Sequence, residues 1–125
     1  MPAIILIVED HDAMRMSLRN WLNTIFPQSH VTEATSGEEA LAKIHHSLPN
    51  VVLMDFKLPG MNGIEATRQI KAALPSAQIV LFSIREGDAY IASAISAGAY
   101  AYVPKRAYHT ELLPILTTLL LRAQD

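Results

Sequence analysis

Three carboxylate side chains follow short apolar runs of this chain, at the points where those runs end. Glu9 and Asp10 come directly after the run at residues 3–8, and Asp55 comes directly after the run at residues 51–54. Clustered carboxylates repel one another and need a cation, and a set of oxygen ligands alone selects a hard ion such as Mg²⁺. A carboxylate beside such an ion can attack phosphorus and form an acyl phosphate. These residues therefore predict a magnesium site with a phosphoryl-accepting carboxylate.

A hydroxyl and an ammonium group occupy equivalent positions after two further apolar runs. Ser83 ends the run at residues 79–82, and Lys105 follows the run at residues 99–103. The ammonium group would neutralise charge on a phosphoryl group, and the hydroxyl would donate a hydrogen bond to it. Taken singly, each residue is better explained as a turn, a cap or a surface charge. Only their joint placement at successive strand ends points to chemistry.

The elements that would position these residues alternate between short apolar runs and stretches with an apolar stripe at helical spacing. This alternation occurs five times and predicts an α/β fold, a doubly wound five-stranded parallel sheet with helices on both faces. Sites in such sheets form beyond the carboxyl ends of the strands, where the polar residues fall. The helical stripes assign Ile25, Leu48 and Leu113 to the core with their neighbours. The predicted strands are residues 3–8, 30–34, 51–54, 79–82 and 99–103.

Capping and breaking residues predict where the helices begin and end. Asp12, Ser36 and Asn62 are the candidate N-caps, and the last two are each followed three residues on by a glutamate. Pro114 interrupts the last helical stripe, and a proline inside a helix costs about 3 kcal/mol. Either the last helix begins near Thr110, with Pro114 in or just past its first turn, or it is kinked at Pro114.

Composition excludes several classes of function. The 125 residues suffice for one domain, residues 1–125, and a content of 50% hydrophobic and 18% charged residues is globular. A net charge of −2 offers no basic field, so direct binding of DNA by this chain is not expected. The absence of cysteine excludes thiolate metal sites and cysteine nucleophiles and fits a cytoplasmic location. The opening apolar run is too short for a signal peptide or a membrane span.

Three stretches resemble the receiver domain of two-component response regulators of the NarL/LuxR type. They are residues 7–11, 54–63 and 99–105, and the resemblance extends over essentially the whole chain. It implies a flavodoxin-like receiver fold in which a bacterial histidine kinase phosphorylates Asp55 with the help of Mg²⁺. It also implies a phospho-acceptor that is not an enzyme beyond slow self-dephosphorylation. Relatives of this type carry a DNA-binding output domain, so one is expected beyond Asp125, with a free-standing receiver as the alternative. A face formed by the fourth helix, the fifth strand and the last helix would serve such a partner or a homodimer.

The resemblance also gives each polar residue of the site a role. Asp10 and Asp55 would ligate Mg²⁺ together with the backbone carbonyl of Lys57, and Glu9 would assist through a water molecule. Lys105 would pair with the phosphoryl group on Asp55.

Two residues would transmit the structural change that follows phosphorylation of Asp55. Two further positions depart from the family pattern. Ser83 would be the switch hydroxyl, and Tyr102 the switch aromatic that turns inward as the hydroxyl moves toward phosphate. The residues alone favour a plain half-buried strand aromatic for Tyr102. Ile84 is bulky where relatives usually have a small residue. Arg106 follows the lysine where relatives often have proline, whereas Pro104 precedes it.

Two other functions are open on the sequence alone. Phosphatases of the haloacid dehalogenase type also use an aspartate nucleophile with Mg²⁺, but they need a second aspartate two residues later, where this chain has Lys57. A non-phosphorylatable, receiver-like interaction domain is the second alternative, and the complete set of site residues argues against it. His11 borders the acidic residues and is expected to have no carboxylate partner of its own.

Overall fold

A five-stranded parallel sheet forms the centre of the computed structural model, which describes residues 2–85 and 87–124. Neighbouring strands are parallel throughout the sheet. The strands are β1 (Ile4–Val8), β2 (His30–Ala34), β3 (Val51–Asp55), β4 (Gln78–Ser83) and β5 (Ala101–Pro104), in the spatial order β2-β1-β3-β4-β5. The strand order reverses direction between β1 and β3, which is where doubly wound sheets open a cleft at their carboxyl edge.

Helices cover both faces of the sheet, as the sequence predicts. Along β1 the side chains alternate, so that Ile5 and Ile7 pack in one apolar cluster and Leu6 and Val8 pack in the other. The first cluster includes residues of the first and last helices, and the second includes residues of the second, third and fourth helices. The helices are α1 (Asp12–Ile25), α2 (Gly37–Ser47), α3 (Gly63–Ala73), α4 (Asp88–Ala97) and α5 (Tyr108–Gln124), with a 3₁₀ turn at Lys105–Ala107. The flavodoxin-like α/β prediction is confirmed.

None of the helices in the described part of the chain combines the length and the apolar character that crossing a bilayer requires.

The helix starts agree with two of the three predicted N-caps. The side chains of Ser36 and Asn62 each accept a hydrogen bond from the backbone N–H three residues on, at 3.0 and 2.9 Å. The prediction of Asp12 as a cap is wrong, because His11 occupies the N-cap position of α1. Asp12 lies in the first turn instead, where its carboxylate accepts a hydrogen bond from Arg15 at 2.6 Å.

Three residues that the helical stripes assign to the core are exposed. Ile25 is the last residue of α1, and Leu48 follows α2 in a left-handed conformation with a φ of 48°. Leu113 adjoins a stripe that already supplies the buried side of α5. Their exposed fractions are 42%, 58% and 40%. The stripe pattern is therefore right for the helix middles and wrong where a helix ends or carries more leucine than its buried side can accept.

The last helix begins earlier than the sequence predicts. It starts at Tyr108 directly after the 3₁₀ turn, two residues before the start near Thr110 that is the first of the two alternatives, and Pro114 lies inside the helix past its first turn. Pro114 has no N–H for the carbonyl of Thr110 four residues earlier. Its side chain is exposed, so the proline takes no space from the core.

Candidate functional site

The parallel register brings the polar strand ends to one edge of the sheet. Val8 of β1 lies beside Met54 of β3, so the residues that follow them, Glu9 and Asp55, emerge at the same level. Ser83 ends β4 at this edge, next to β3. Because β1, β3 and β4 are covered on both faces, polar side chains at these ends are largely removed from water.

A buried ion-pair network joins three of the predicted residues. The ammonium group of Lys105 donates a hydrogen bond to Oε1 of Glu9 at 2.8 Å and lies 3.2 Å from Oδ1 of Asp55. The side chains of Glu9 and Asp55 are 0% and 4% exposed, and that of Lys105 is 14% exposed. Two carboxylates thus share one ammonium group, and the pocket keeps an unbalanced negative charge when both are ionised.

The unbalanced charge falls on Asp55 rather than on Glu9. Burial raises the pKa of Asp55 to about 6, the charge of Glu9 adds to this, and Lys105 offsets only part of it. Burial alone would raise the pKa of Glu9, but hydrogen bonds from Lys105 and from the backbone N–H of His11 outweigh it and lower that pKa. Burial alone would lower the pKa of Lys105, but its bond to Glu9 and the charge of Asp55 raise it. Asp55 is therefore the carboxylate with most to gain from a second cation.

The acidic residues offer a ligand set that fits Mg²⁺. Glu9, Asp10, His11 and Asp55 each present one ligand atom, and these atoms lie within 4.8 Å of one another. Carboxylate oxygens suit a hard cation, and the 34% exposure of the Asp10 side chain keeps one side of the pocket open to water and phosphate. Lys57 is exposed on the following loop, and its carbonyl as a metal ligand stays a prediction.

The loop between β3 and α3 brings the start of α3 against the backbone of Asp55. The N–H of Gly63 donates to the carbonyl of Phe56 at 2.8 Å. A Cβ atom at Gly63 would lie 2.2 Å from the carbonyl oxygen of Asp55, which no side chain could tolerate. Gly60 has a φ of +69°, the left-handed region that favours glycine. For these steric and conformational reasons, both positions in the loop that positions Asp55 require glycine.

His11 is a site residue whose contacts the sequence analysis missed. Its Nδ1 lies 3.6 Å from Oε2 of Glu9 and 3.7 Å from Oδ1 of Asp10. The prediction that it has no carboxylate partner is therefore wrong. The available signal was its place between the acidic pair and the start of α1, where the chain reverses direction over the strand ends.

Ser83 and Tyr102 are connected through the backbone of one residue, Arg85. The buried hydroxyl of Ser83 accepts a hydrogen bond from the N–H of Arg85 at 3.0 Å. The hydroxyl of Tyr102 donates to the carbonyl of Arg85 at 2.7 Å. Its ring also contacts Phe56 edge to face, with centroids 6.5 Å apart. Movement of Ser83 toward Asp55 would therefore disturb the residue to which Tyr102 is tied.

Replacing Tyr102 by phenylalanine is expected to loosen the segment around Arg85 without removing the ring from its packing. The lost hydrogen bond is worth about 0.5–1.5 kcal/mol. Hydrogen exchange of the Arg85 amide should become faster by the factor that corresponds to this free energy. Tyr100→Phe is the matched control, because it removes the same hydroxyl two residues away from an exposed tyrosine. Equal exchange rates in wild type and Tyr102→Phe would show that this bond does not restrain the segment.

Ile84 and Arg106, the two departures from the family pattern, are both exposed. Ile84 is 80% exposed and follows the end of β4. Arg106 lies in the 3₁₀ turn that connects β5 to α5. The peptide bonds of the described residues are all trans, including the bond that follows Lys105.

Comparison with known proteins finds one family over most of the chain. The family model described as response regulator receiver domain matches residues 5–117. Transcriptional activator protein ExaE of Pseudomonas putida is 39% identical over 103 residues, which make up 82% of this chain and 48% of ExaE. Response regulator GacA of Pseudomonas viridiflava is 38% identical over 109 residues, or 87% of this chain and 51% of GacA. The chain thus spans about half the length of these curated relatives.

Solved structures agree with this family. A two-component response regulator of the LuxR family from Aurantimonas sp. SI85-9A1 is 35% identical, with a TM-score of 0.88 over 97% of this chain and 86% of that one. The signal receiver domain of a NarL response regulator from Mycobacterium tuberculosis is 24% identical, with a TM-score of 0.85 over 94% of each chain, and shows the same fold.

Proposed function

The chain belongs to the family of response regulator receiver domains, which serve two-component phosphorelay signalling, and on this premise we propose that Asp55 is its phosphoryl acceptor. The observation that carries the proposal is the position of the Asp55 carboxylate. It is buried beside Glu9 and lies 3.2 Å from the ammonium group of Lys105. A carboxylate that lacks compensating charge, beside a cation and an open ligand set, is suited to attack phosphorus.

The family pattern gives the remaining residues of the site their proposed roles. An oxygen of Asp55 would form a bond to phosphorus while the bond from phosphorus to the donor breaks. Lys105 would release part of its interaction with Asp55 and pair with the phosphoryl oxygens. Asp10 and Asp55 would hold Mg²⁺, with the Lys57 carbonyl as a further ligand and Glu9 acting through water. When bound, the ion supplies neutralisation of the phosphoryl charge and orientation of the donor.

Acceptance of a phosphoryl group on Asp55 without catalytic turnover fits the chain better than phosphatase activity. Family members are typically phospho-acceptors rather than enzymes. A phosphatase that works through an aspartate nucleophile needs an acid–base group near it, and the position two residues after Asp55 holds Lys57, which is exposed. We therefore propose that release of the phosphoryl group is at most slow self-dephosphorylation.

Ser83 and Tyr102 would carry the signal away from Asp55. The Ser83 hydroxyl accepts from Arg85, so its own proton remains available for donation to a phosphoryl oxygen. A shift of Ser83 would change the loop that joins β4 to α4 and the position of Tyr102. Phosphorylation needs only to bias an existing balance between two such arrangements.

The partners belong to the proposal, because the chain spans about half of its curated relatives. We place this chain in the cytoplasm, where a sensor histidine kinase would supply the phosphoryl group and a DNA-binding output domain would receive the signal. The surface of α4, β5 and α5 is the proposed contact region for that domain or for a homodimer. It contains a groove of about 260 Å³ whose lining includes Ile91, Tyr102 and Glu111.

Asp10→Ala tests the metal part of the proposal. We expect it to weaken Mg²⁺ binding at least about tenfold, because it removes a direct ligand from a small oxygen set. The fold should persist, since Asp10 lies at the open side of the pocket. Isothermal titration with Mg²⁺ and far-ultraviolet circular dichroism measure the two outcomes. An unchanged Mg²⁺ affinity would reject Asp10 as a ligand.

A further inference from the structure

The imidazole of His11 faces the same space as the acidic residues. Its Nδ1 lies 3.6 Å from a Glu9 oxygen and 3.7 Å from an Asp10 oxygen, and one of its ring nitrogens lies within 4.8 Å of the ligand atom of Asp55. Ligands around an octahedral ion at about 2.1 Å lie about 3.0 Å apart when adjacent and about 4.2 Å apart when opposite. A small contraction of this group would therefore surround one ion with nitrogen as well as oxygen.

Glu9 is less open to a metal ion than the other members of the group. Its Oε1 accepts a hydrogen bond from Lys105 at 2.8 Å, and its Oε2 accepts one from the backbone N–H of His11 at 3.2 Å. An ion would have to compete with both donors for this carboxylate. The side chain of His11 is 74% exposed, so it can approach an ion from the solvent side of the pocket.

We propose that His11 is a direct ligand for first-row transition-metal ions at this pocket and gives it an affinity for them that an all-oxygen site would lack. The geometry that carries this is the approach of Nδ1 to two carboxylates at the start of α1. The affinity of a mixed nitrogen and oxygen site rises from Mn²⁺ to Co²⁺, and imidazole is a preferred ligand of Zn²⁺, whereas Mg²⁺ prefers oxygen ligands and water. The inference rests on the proposed role of the acidic pocket as a divalent-cation site.

The test compares Co²⁺ and Mg²⁺ binding to the metal-free chain at one neutral pH. We expect His11→Ala to weaken Co²⁺ binding by at least about tenfold and to change Mg²⁺ binding by less than about twofold. His46→Ala is the matched control, because it removes an exposed imidazole on α2. Unchanged Co²⁺ affinity in His11→Ala, or an equal loss for both ions, would overturn the proposal.

A spectroscopic measurement reports the nitrogen ligand directly. Electron spin echo modulation of the Mn²⁺ complex should show coupling to an imidazole nitrogen in the wild-type chain and in His46→Ala. The modulation should be missing in His11→Ala. Its absence from the wild-type complex, or its persistence without His11, would rule out direct ligation.

Asp10→Ala separates failure of this inference from failure of the pocket itself. If Asp10→Ala loses both ions while His11→Ala keeps Co²⁺ affinity, the cation site stands and the role of His11 falls. If Asp10→Ala keeps both ions, the cation site fails, and the inference about His11 fails with it.

Discussion

Asp55→Asn is expected to abolish phosphorylation of this chain by acetyl phosphate and Mg²⁺. The wild-type chain should gain about one acid-labile phosphoryl group, since a carboxylate oxygen can form an acyl phosphate and a neutral amide cannot. The substitution retains the shape of the side chain between Glu9 and Lys105, so the rest of the pocket should persist. Intact-protein mass spectrometry after a short incubation measures the incorporation.

Asp88→Asn is the matched control for this experiment. It removes one carboxylate from the exposed first turn of α4 and leaves the strand ends unchanged. It should be phosphorylated like the wild type. Labelling of Asp55→Asn at another residue, at a rate near that of the wild type, would overturn the assignment of the acceptor. Labelling of the wild type that persists in EDTA would count against the role of Mg²⁺.

The same substitution is expected to stabilise the folded chain when no divalent cation is present. A pKa raised from 3.8 to about 6 means that the folded state disfavours the ionised form of Asp55. At neutral pH this corresponds to a cost of about 3 kcal/mol, caused by burial and by the charge of Glu9. Asparagine resembles the protonated acid and avoids most of this cost. The favourable contact with Lys105 is already included in this net cost, so we expect a net gain of up to about 3 kcal/mol.

The pH dependence of this gain has a definite sign. Between pH 3.8 and about 6 the folded chain holds a proton on Asp55 that the unfolded chain has released, so wild-type stability falls as pH rises through this window. The stability difference between Asp55→Asn and wild type should be largest above pH ~6 and should vanish as the pH falls below 3.8.

Urea unfolding in EDTA across this pH window measures the difference. Asp88→Asn again serves as control and should show no comparable gain, because its carboxylate is exposed. Mg²⁺ should stabilise the wild type more than Asp55→Asn, since the ion supplies the charge that the pocket lacks. A difference that does not vary with pH, or a variant less stable than wild type at neutral pH, would contradict the electrostatic account.

Much of the site follows from the order of residues along the chain. Asp55, Ser83 and Lys105 each stand at or just past the end of an apolar run, and a parallel sheet must bring such ends to one edge. The helix starts at Ser36 and Asn62 were predictable for a similar reason, because their hydrogen bonds connect residues only three positions apart. Local signals of this kind survive folding because they depend on near neighbours in the chain.

The tertiary structure alone decided how these groups interact. It gave the two buried carboxylates different surroundings. Glu9 accepts hydrogen bonds from Lys105 and a backbone N–H, whereas Asp55 is left short of positive charge. It directed His11 toward the acidic residues and tied Tyr102 to the same residue as Ser83. Burial and hydrogen-bond partners depend on atoms from strands and helices that are distant in sequence. The sequence therefore predicted where the reactive residues lie, whereas their charge states and contacts were decided only by the packing of the folded chain.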